Sequence, residues 1–199
     1  MTARLTGRPR EFDEAEVLSR AIRAFWLRGY DGTSVADLVE AMGIQKGSLY
    51  GAFEDKRHIY LRAVELYQQD LVVAASAALL PGDKIEVRLR SFLEGAIARA
   101  ESGDRRGCFL CNAAIDRAAA DADVEAIVRR GLTGLEQVFR KALRDLVDPT
   151  VLDARAQLLL SSYVGLQALA RAGYALDSLR TILTETLRST IGPSTFGRA

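Results

Sequence analysis

The chain has 199 residues, of which 49% are hydrophobic and 27% charged, with a formal net charge of +1. That is enough for a real core in one large domain or two small ones, and no run of about eighteen apolar residues offers a membrane span. The near-zero charge excludes a uniformly basic nucleic-acid binder, and two cysteines, Cys108 and Cys111, are too few for a disulfide framework.

The opening stretch "MTARLTGRPREFDE" is basic but has no apolar segment behind it, so it does not read as a secretory signal. Two thiols close together fit a reducing, cytoplasmic compartment. The first sixty residues hold nine Lys or Arg and nine Asp or Glu, so any case for a charged partner rests on placement rather than sum.

Helical spacing begins at "DEAEVLSRAIRAFWLRGY", where Val17, Leu18, Ala21, Ile22, Phe25 and Trp26 recur at three and four. Asp13 with Glu16 suggests a capping box, and Gly29 ends the helix. Thr33 or Ser34 caps a second helix of barely two turns, "VADLVEAM", closed by Gly43. A third, equally short, runs from about Gln45 to Phe53. Asp55 then caps a long fourth helix that ends at Pro81-Gly82. Helices so short are marginal alone, so the first three form one small unit. Beyond Gly82 the spacing predicts helices over 83–100, 106–119, 121–146, 152–172 and 177–191. The fold class is therefore all-α, with a three-helix unit over 1–54, a larger helical unit over 55–199, and the helix 55–80 bridging both. The stretch after Ile191, "GPSTFGRA", reads as a frayed end.

"GIQKGSLYGAFEDK" is the stretch that points to a function. At roughly 100° per residue, Leu49 and Phe53 fall within about 40° of each other and define a narrow buried stripe. Lys46, Gly47, Ser48, Tyr50 and Gly51 occupy a wide opposite face free of acid. Two short helices joined at Gly43 make a helix-turn-helix. A helix entering the DNA major groove needs small residues where its backbone nears the sugar-phosphate wall, and hydrogen-bonding side chains towards bases and phosphates. Gly47 and Gly51 give that approach, and Gln45, Lys46, Ser48 and Tyr50 supply the polar groups. The helix-propensity cost of each glycine, about 1 kcal/mol relative to alanine, then has a reason.

"GTSVADLVEAMGIQKGSLYGAFEDKRHIY" resembles the DNA-binding signature of the TetR/AcrR transcriptional repressors, over roughly Pro9 to Leu66. The resemblance implies that the helix from Gln45 reads double-stranded operator DNA, with Lys46, Gly47, Ser48 and Tyr50 at contacting positions. It implies that Thr33 and Lys56 grip phosphates, and that Arg8 and Arg10 form a basic arm. Ala52 departs from the pattern, since some relatives carry a polar reader there. The resemblance further implies that the C-terminal helices enclose a pocket for an unknown small-molecule effector. Phe92, Cys108, Phe109, Asn112, Phe139 and Tyr163 are the expected lining. The helices over about 152–172 and 177–191 would make a homodimer, matched to a palindromic operator. Ser161, Ser162, Gly165 and Ala168 recur there at three and four and permit close helix contact.

His58 is the only histidine, so no zinc constellation can be built, and no cofactor is expected. Cys108 follows Gly107 at an expected helix start beside Arg105 and Arg106, features that lower a thiol pKa. An electrophile- or oxidant-sensing regulator is thus an alternative to a purely ligand-responsive one, and two small apolar core residues are the plainer reading of the pair. An all-α enzyme is opposed by the single histidine and the lack of a phosphate-cradling loop. A helical protein-interaction adaptor would leave the acid-free face around Lys46 and Tyr50 unexplained.

Overall fold

The computed structural model describes residues 13–82 and 84–192, and every regular element among them is helical. In order these are α1 (Glu14–Arg28), α2 (Val35–Met42), α3 (Lys46–Ala52), α4 (Lys56–Leu79), α5 (Ile85–Glu101), α6 (Phe109–Asp116), α7 (Ala122–Leu143), α8 (Leu152–Arg171) and α9 (Leu176–Ile191). A short 3-10 turn, Ala118–Ala120, joins α6 to α7. The chain divides into two compact units, and the boundary falls inside α4, between Ala63 and Val64.

The first unit is α1 to α3 with the opening turns of α4. Asp13 caps α1 by accepting from the Ala15 amide at 2.9 Å. Glu16 does not reach back to complete a box; it pairs with Arg20 at 2.5 Å. The reciprocal box belongs to α2 instead. Ser34 Oγ accepts from the Asp37 amide at 3.1 Å, and Asp37 accepts from the Ser34 amide at 2.8 Å. Gly43 ends α2 at φ 68°, a left-handed conformation that costs little only without a Cβ, and Arg20 donates to the Met42 carbonyl at 3.3 Å beside it.

Asp55 caps α4 by accepting from the His58 amide at 2.8 Å, and the His58 ring lies 3.1 Å from the same carboxylate. The first turns of α4 complete the core of this unit. Ile59, Tyr60 and Ala63 are buried. Tyr60 meets Phe25 edge-on at 5.0 Å and Tyr30 at 5.0 Å, while Arg62 pairs with Glu14 at 2.5 Å. Those contacts explain why the unit extends to Ala63 rather than stopping where α4 starts.

The second unit packs α5, α7, α8 and α9 side by side, with α6 against α7 and α8. Leu89, Leu93, Leu135, Phe139, Leu159, Leu166, Leu183 and Leu187 form its core. The segment expected to be helical from residue 106 starts only at Phe109. Asp104 holds Arg106 through two side-chain bonds, and Gly107 turns at φ 71°, so the chain cannot enter the helix before Cys108. Thr186 on α9 donates to Ser162 on α8 at 3.1 Å, which turns Ser162 towards a helix of its own chain. Ser161 stays exposed and Leu158 is 36% exposed.

Candidate functional site

Two groups of side chains stand out, one in each unit. In the first, α3 is held by Leu49, fully buried, and by Phe53 at its end. Gln45, Lys46, Gly47, Ser48, Tyr50 and Gly51 are all exposed, Tyr50 at 47%. Gln45 occupies the N-cap position without a side-chain cap bond, and no acidic residue lies in the first turn. The helix start therefore sets the exposed Lys46 in a first turn free of acid, where peptide N–H groups favour an anion. A Cβ added at Gly47 or Gly51 would meet nothing within 4 Å, so neither glycine is required for packing inside this chain.

The expected phosphate-gripping positions are placed differently. Thr33 is fully buried and its hydroxyl donates to the Gly29 carbonyl at 2.7 Å. Its side chain has no surface to offer a phosphate, because the turn after α1 needs that hydroxyl; Ser34 is the exposed hydroxyl at the start of α2. Lys56 is partly exposed, its ammonium 4.3 Å from the centre of the Tyr30 ring. Arg8 and Arg10 lie outside the described residues.

The near-zero charge of this unit is also resolved by geometry. Arg20, Arg28 and Arg62 engage Glu16, Asp37 and Glu14 on α1, α2 and α4. Three of the acids are neutralised there, and the exposed face of α3 carries none.

In the second unit the expected effector residues come together. Phe92 stacks on Tyr163 at 5.6 Å and meets Phe139 edge-on at 5.9 Å. Cys108, Phe109, Phe139 and Tyr163 are buried, and Phe92 is partly exposed. Asn112 points the other way along α6, donating to the Arg106 carbonyl at 2.9 Å. Three residues missed by sequence reasoning join the group. Tyr67 on α4 donates to Cys108 Sγ at 3.7 Å and packs edge-on against Phe109 at 5.5 Å. Arg99 on α5 donates to the buried Gln167 on α8 at 3.1 Å. Only the buried polar character of Gln167, on an otherwise apolar face, could have signalled this. A separate surface groove of about 340 Å³ runs between α5 and α9, lined by Arg90, Glu94, Ile97, Glu101, Arg180 and Leu183; it does not include the aromatic cluster.

The thiol electrostatics differ in cause from the sequence expectation. Burial alone would push the Cys108 thiol up, but hydrogen bonding from the Cys111 thiol and amide and from the Tyr163 and Tyr67 hydroxyls outweighs it and brings Cys108 down to about 6. Cys111 is pushed up by its bond to Cys108 and by burial, and burial beside Cys108 pushes both tyrosines up. The neighbouring arginines are engaged elsewhere. Arg106 clasps Asp104 at 2.8 and 2.9 Å, and the Arg105 guanidinium lies against Gly173.

The Asp104 clasp makes a testable claim. The Arg106 side chain, against a smaller opposing effect of burial, holds the Asp104 carboxyl at about 2 against an ordinary 3.8. A depressed carboxylate contributes stability that is fully present above its unfolded value and is lost as pH falls through its folded one. The bracket before α6 is thus expected to hold at pH 4 and open between about pH 3.8 and 2. Carboxyl carbon NMR titration should place the Asp104 midpoint near the lower figure, and Arg106→Ala should return it to the ordinary range; an unmoved midpoint in the variant would refute the clasp.

Comparison with known proteins adds an independent line. The model of "Bacterial regulatory proteins, tetR family" matches residues 17–63. The HTH-type transcriptional regulator YezE of Bacillus subtilis (strain 168) is 32% identical over 182 residues, covering 87% of this chain and 94% of that protein. The HTH-type transcriptional repressor ComR of Escherichia coli (strain K12) is 27% identical over 190 residues, covering 92% and 90%. Among solved structures, a cysteine mutant of the TetR family transcriptional regulator CifR, complexed with 26bp double-strand operator DNA, superposes with a TM-score of 0.77 at 28% identity, covering 92% of this chain and 99% of that one. No helix among the described residues is long and apolar enough to cross a membrane, and none of their His, Cys, Asp and Glu side chains group as a metal site.

Proposed function

We propose, from the premise that the chain belongs to the tetR family of bacterial regulatory proteins, that it is a cytoplasmic transcriptional repressor that reads operator DNA with α3 and has no catalysis of its own. The observation that carries this is the sorting of α3 by face. Leu49 and Phe53 anchor it, and Gln45, Lys46, Gly47, Ser48 and Tyr50 face out on an acid-free surface. Such a helix lies in a major groove with its N-terminal turn towards the bases. Lys56, at the start of α4, would position a phosphate, and Arg8 and Arg10 would add a basic arm.

Two copies would join through α8 and α9. The exposed Leu158 and Ser161, with open space beside Gly165, recur at helical spacing on one side of α8, which supports a close two-fold contact. The two α3 helices of such a dimer would read a palindromic operator. A small-molecule effector would enter the cluster of Phe92, Phe109, Phe139 and Tyr163, with Cys108 at its edge. The effector acts by binding more tightly to a conformation that fits the operator poorly, and α4, which runs through both units, carries the difference.

A gel shift with the DNA flanking its own gene tests the regulator reading, and a sizing column tests the dimer. If no fragment shifts at low salt, the reading is wrong. Native mass spectrometry of the purified protein should reveal a co-purified effector. The two glycines offer a sharper separation of fold from function. Gly47→Ala with Gly51→Ala is expected to stabilise the fold, each by up to about 1 kcal/mol of helix propensity, and so to raise the melting temperature while weakening operator binding. Unchanged affinity in the doubly substituted chain would show that no backbone approaches the DNA there.

A further inference from the structure

We propose that Cys108 and Cys111 form an oxidisable dithiol whose closure to an intramolecular disulfide lowers the affinity of the protein for its operator, with Tyr67 as the residue that reports the change to α4; the DNA half of this rests on the regulator reading above. The two are the only cysteines of the chain, and both are reduced and buried. Cys108 is the N-cap of α6 with extended backbone, φ −106° and ψ 127°, and Cys111 stands in the first turn. Residues three apart across a helix start lie close enough to be bridged once the first turn tightens.

The two sulfurs have unlike roles. Cys108 is the sulfur on which the donors converge: the Tyr67 hydroxyl at 3.7 Å, the Tyr163 hydroxyl and the Cys111 thiol. Those donors favour the charged form at Cys108, while its own bond to Cys108 and burial favour the neutral thiol at Cys111. That division is the one a nucleophilic and a resolving thiol require. Burial restricts the oxidant to a small molecule, and a hydroperoxide supplies the chemistry. The Cys108 thiolate attacks the outer peroxide oxygen, an S–O bond forms, the O–O bond breaks, and the alkoxide leaves as alcohol after taking a proton from Tyr163 or water. Sulfur is oxidised to the sulfenic acid and the peroxide is reduced. Cys111 then gives up its proton and attacks the Cys108 sulfur; the S–S bond forms and hydroxide leaves as water.

The consequence is structural. A sulfur committed to Cys111 is drawn into the first turn of α6 and no longer accepts from Tyr67. Tyr67 also packs edge-on against Phe109, the residue next to Cys108, so it senses both changes. It sits on α4, only a turn beyond the boundary between the two units.

The test uses the full chain, reduced and then exposed to cumene hydroperoxide. The expected product has lost two hydrogens by intact mass, has no thiol left for iodoacetamide, and shows Cys108 joined to Cys111 within the tryptic peptide 107–117. Operator affinity should fall on the order of tenfold and return with dithiothreitol. Cys111→Ser should stop at a sulfenic acid on Cys108 that dimedone traps. Cys108→Ser should react at neither position, and Cys108→Ala serves if the hydroxyl is not tolerated in the core. Tyr67→Phe should form the disulfide with a smaller fold-change in affinity between its reduced and oxidised forms than wild type, because the bond that oxidation breaks is already absent. Survival of both thiols, a bond between two copies, oxidation confined to Cys111, or a disulfide without loss of affinity would each overturn the proposal. If the reduced protein shifts no DNA, the regulator reading is what fails. The dithiol is then judged by the mass spectrum and by a tyrosine near-ultraviolet difference signal that Tyr67→Phe abolishes.

Discussion

Replacing Lys46 and Tyr50 together by alanine is expected to lower operator affinity by about a hundredfold or more while leaving thermal stability unchanged. Each side chain stands on the exposed face of α3, where Tyr50 is 47% exposed. A single base or phosphate contact is worth about 1–3 kcal/mol, so two lost contacts at the middle of that range cost about 4 kcal/mol, more than two decades in Kd. The two single variants separate their roles. Lys46→Ala should weaken all DNA sequences alike and reduce the salt slope by about one, as loss of a phosphate contact does. Tyr50→Ala should cost more on the operator than on random DNA if its hydroxyl meets a base edge. Fluorescence anisotropy over a salt series reads both. A double variant within threefold of wild type would remove α3 from the interface.

Leu49→Ala is the second large effect, and it is a loss of stability. Leu49 is the one residue within α3 that is fully buried, and the helix has only seven residues. Truncating a buried leucine costs about 2–5 kcal/mol, a large share of the roughly 5–15 kcal/mol that holds a domain together. A helix this short has no reserve of its own. Trp26 is the only tryptophan and lies on α1, so its fluorescence follows the first unit alone. Its urea midpoint should drop by about 1–2 M, while far-ultraviolet circular dichroism retains a later transition from the second unit. Coincident transitions by both probes would show instead that the units unfold as one.

Much of this was legible in the chain. Apolar residues at three and four located the helices, and Gly29 and Gly43 marked two of their ends. The sorting of α3 into a buried pair and an exposed polar face could be read from a wheel, and burial of Leu49 and Phe53 agrees with it. What escaped were choices settled by partners distant in sequence or by competition between neighbours. Thr33 and Ser34 are both good caps, and the hydroxyl of one is consumed by the Gly29 carbonyl while Asp37 completes a box with the other. The start of α6 depends on the Asp104–Arg106 clasp, which no helical period encodes. Arginines beside Cys108 in sequence suggested a cationic environment. In space the charge on Arg106 is taken by Asp104, and hydroxyls from α4 and α8 surround the thiol. Tyr67 looked like any aromatic at helical spacing, because a sequence gives the period of a face but not which side chain it meets.

The position of the unit boundary inside α4 has a consequence for how such a chain can be taken apart and recombined. Between Lys56 and Leu79 the backbone is uninterrupted helix, and the first unit needs Tyr60 to cover Phe25 and Tyr30. A cut at the loop before α4 would sever the reader from part of its own core. The segment shared with the family model ends at residue 63, where the first unit ends. The transplantable piece is therefore three helices and a splint, and a chimaera between two such regulators must join them in mid-helix, in register.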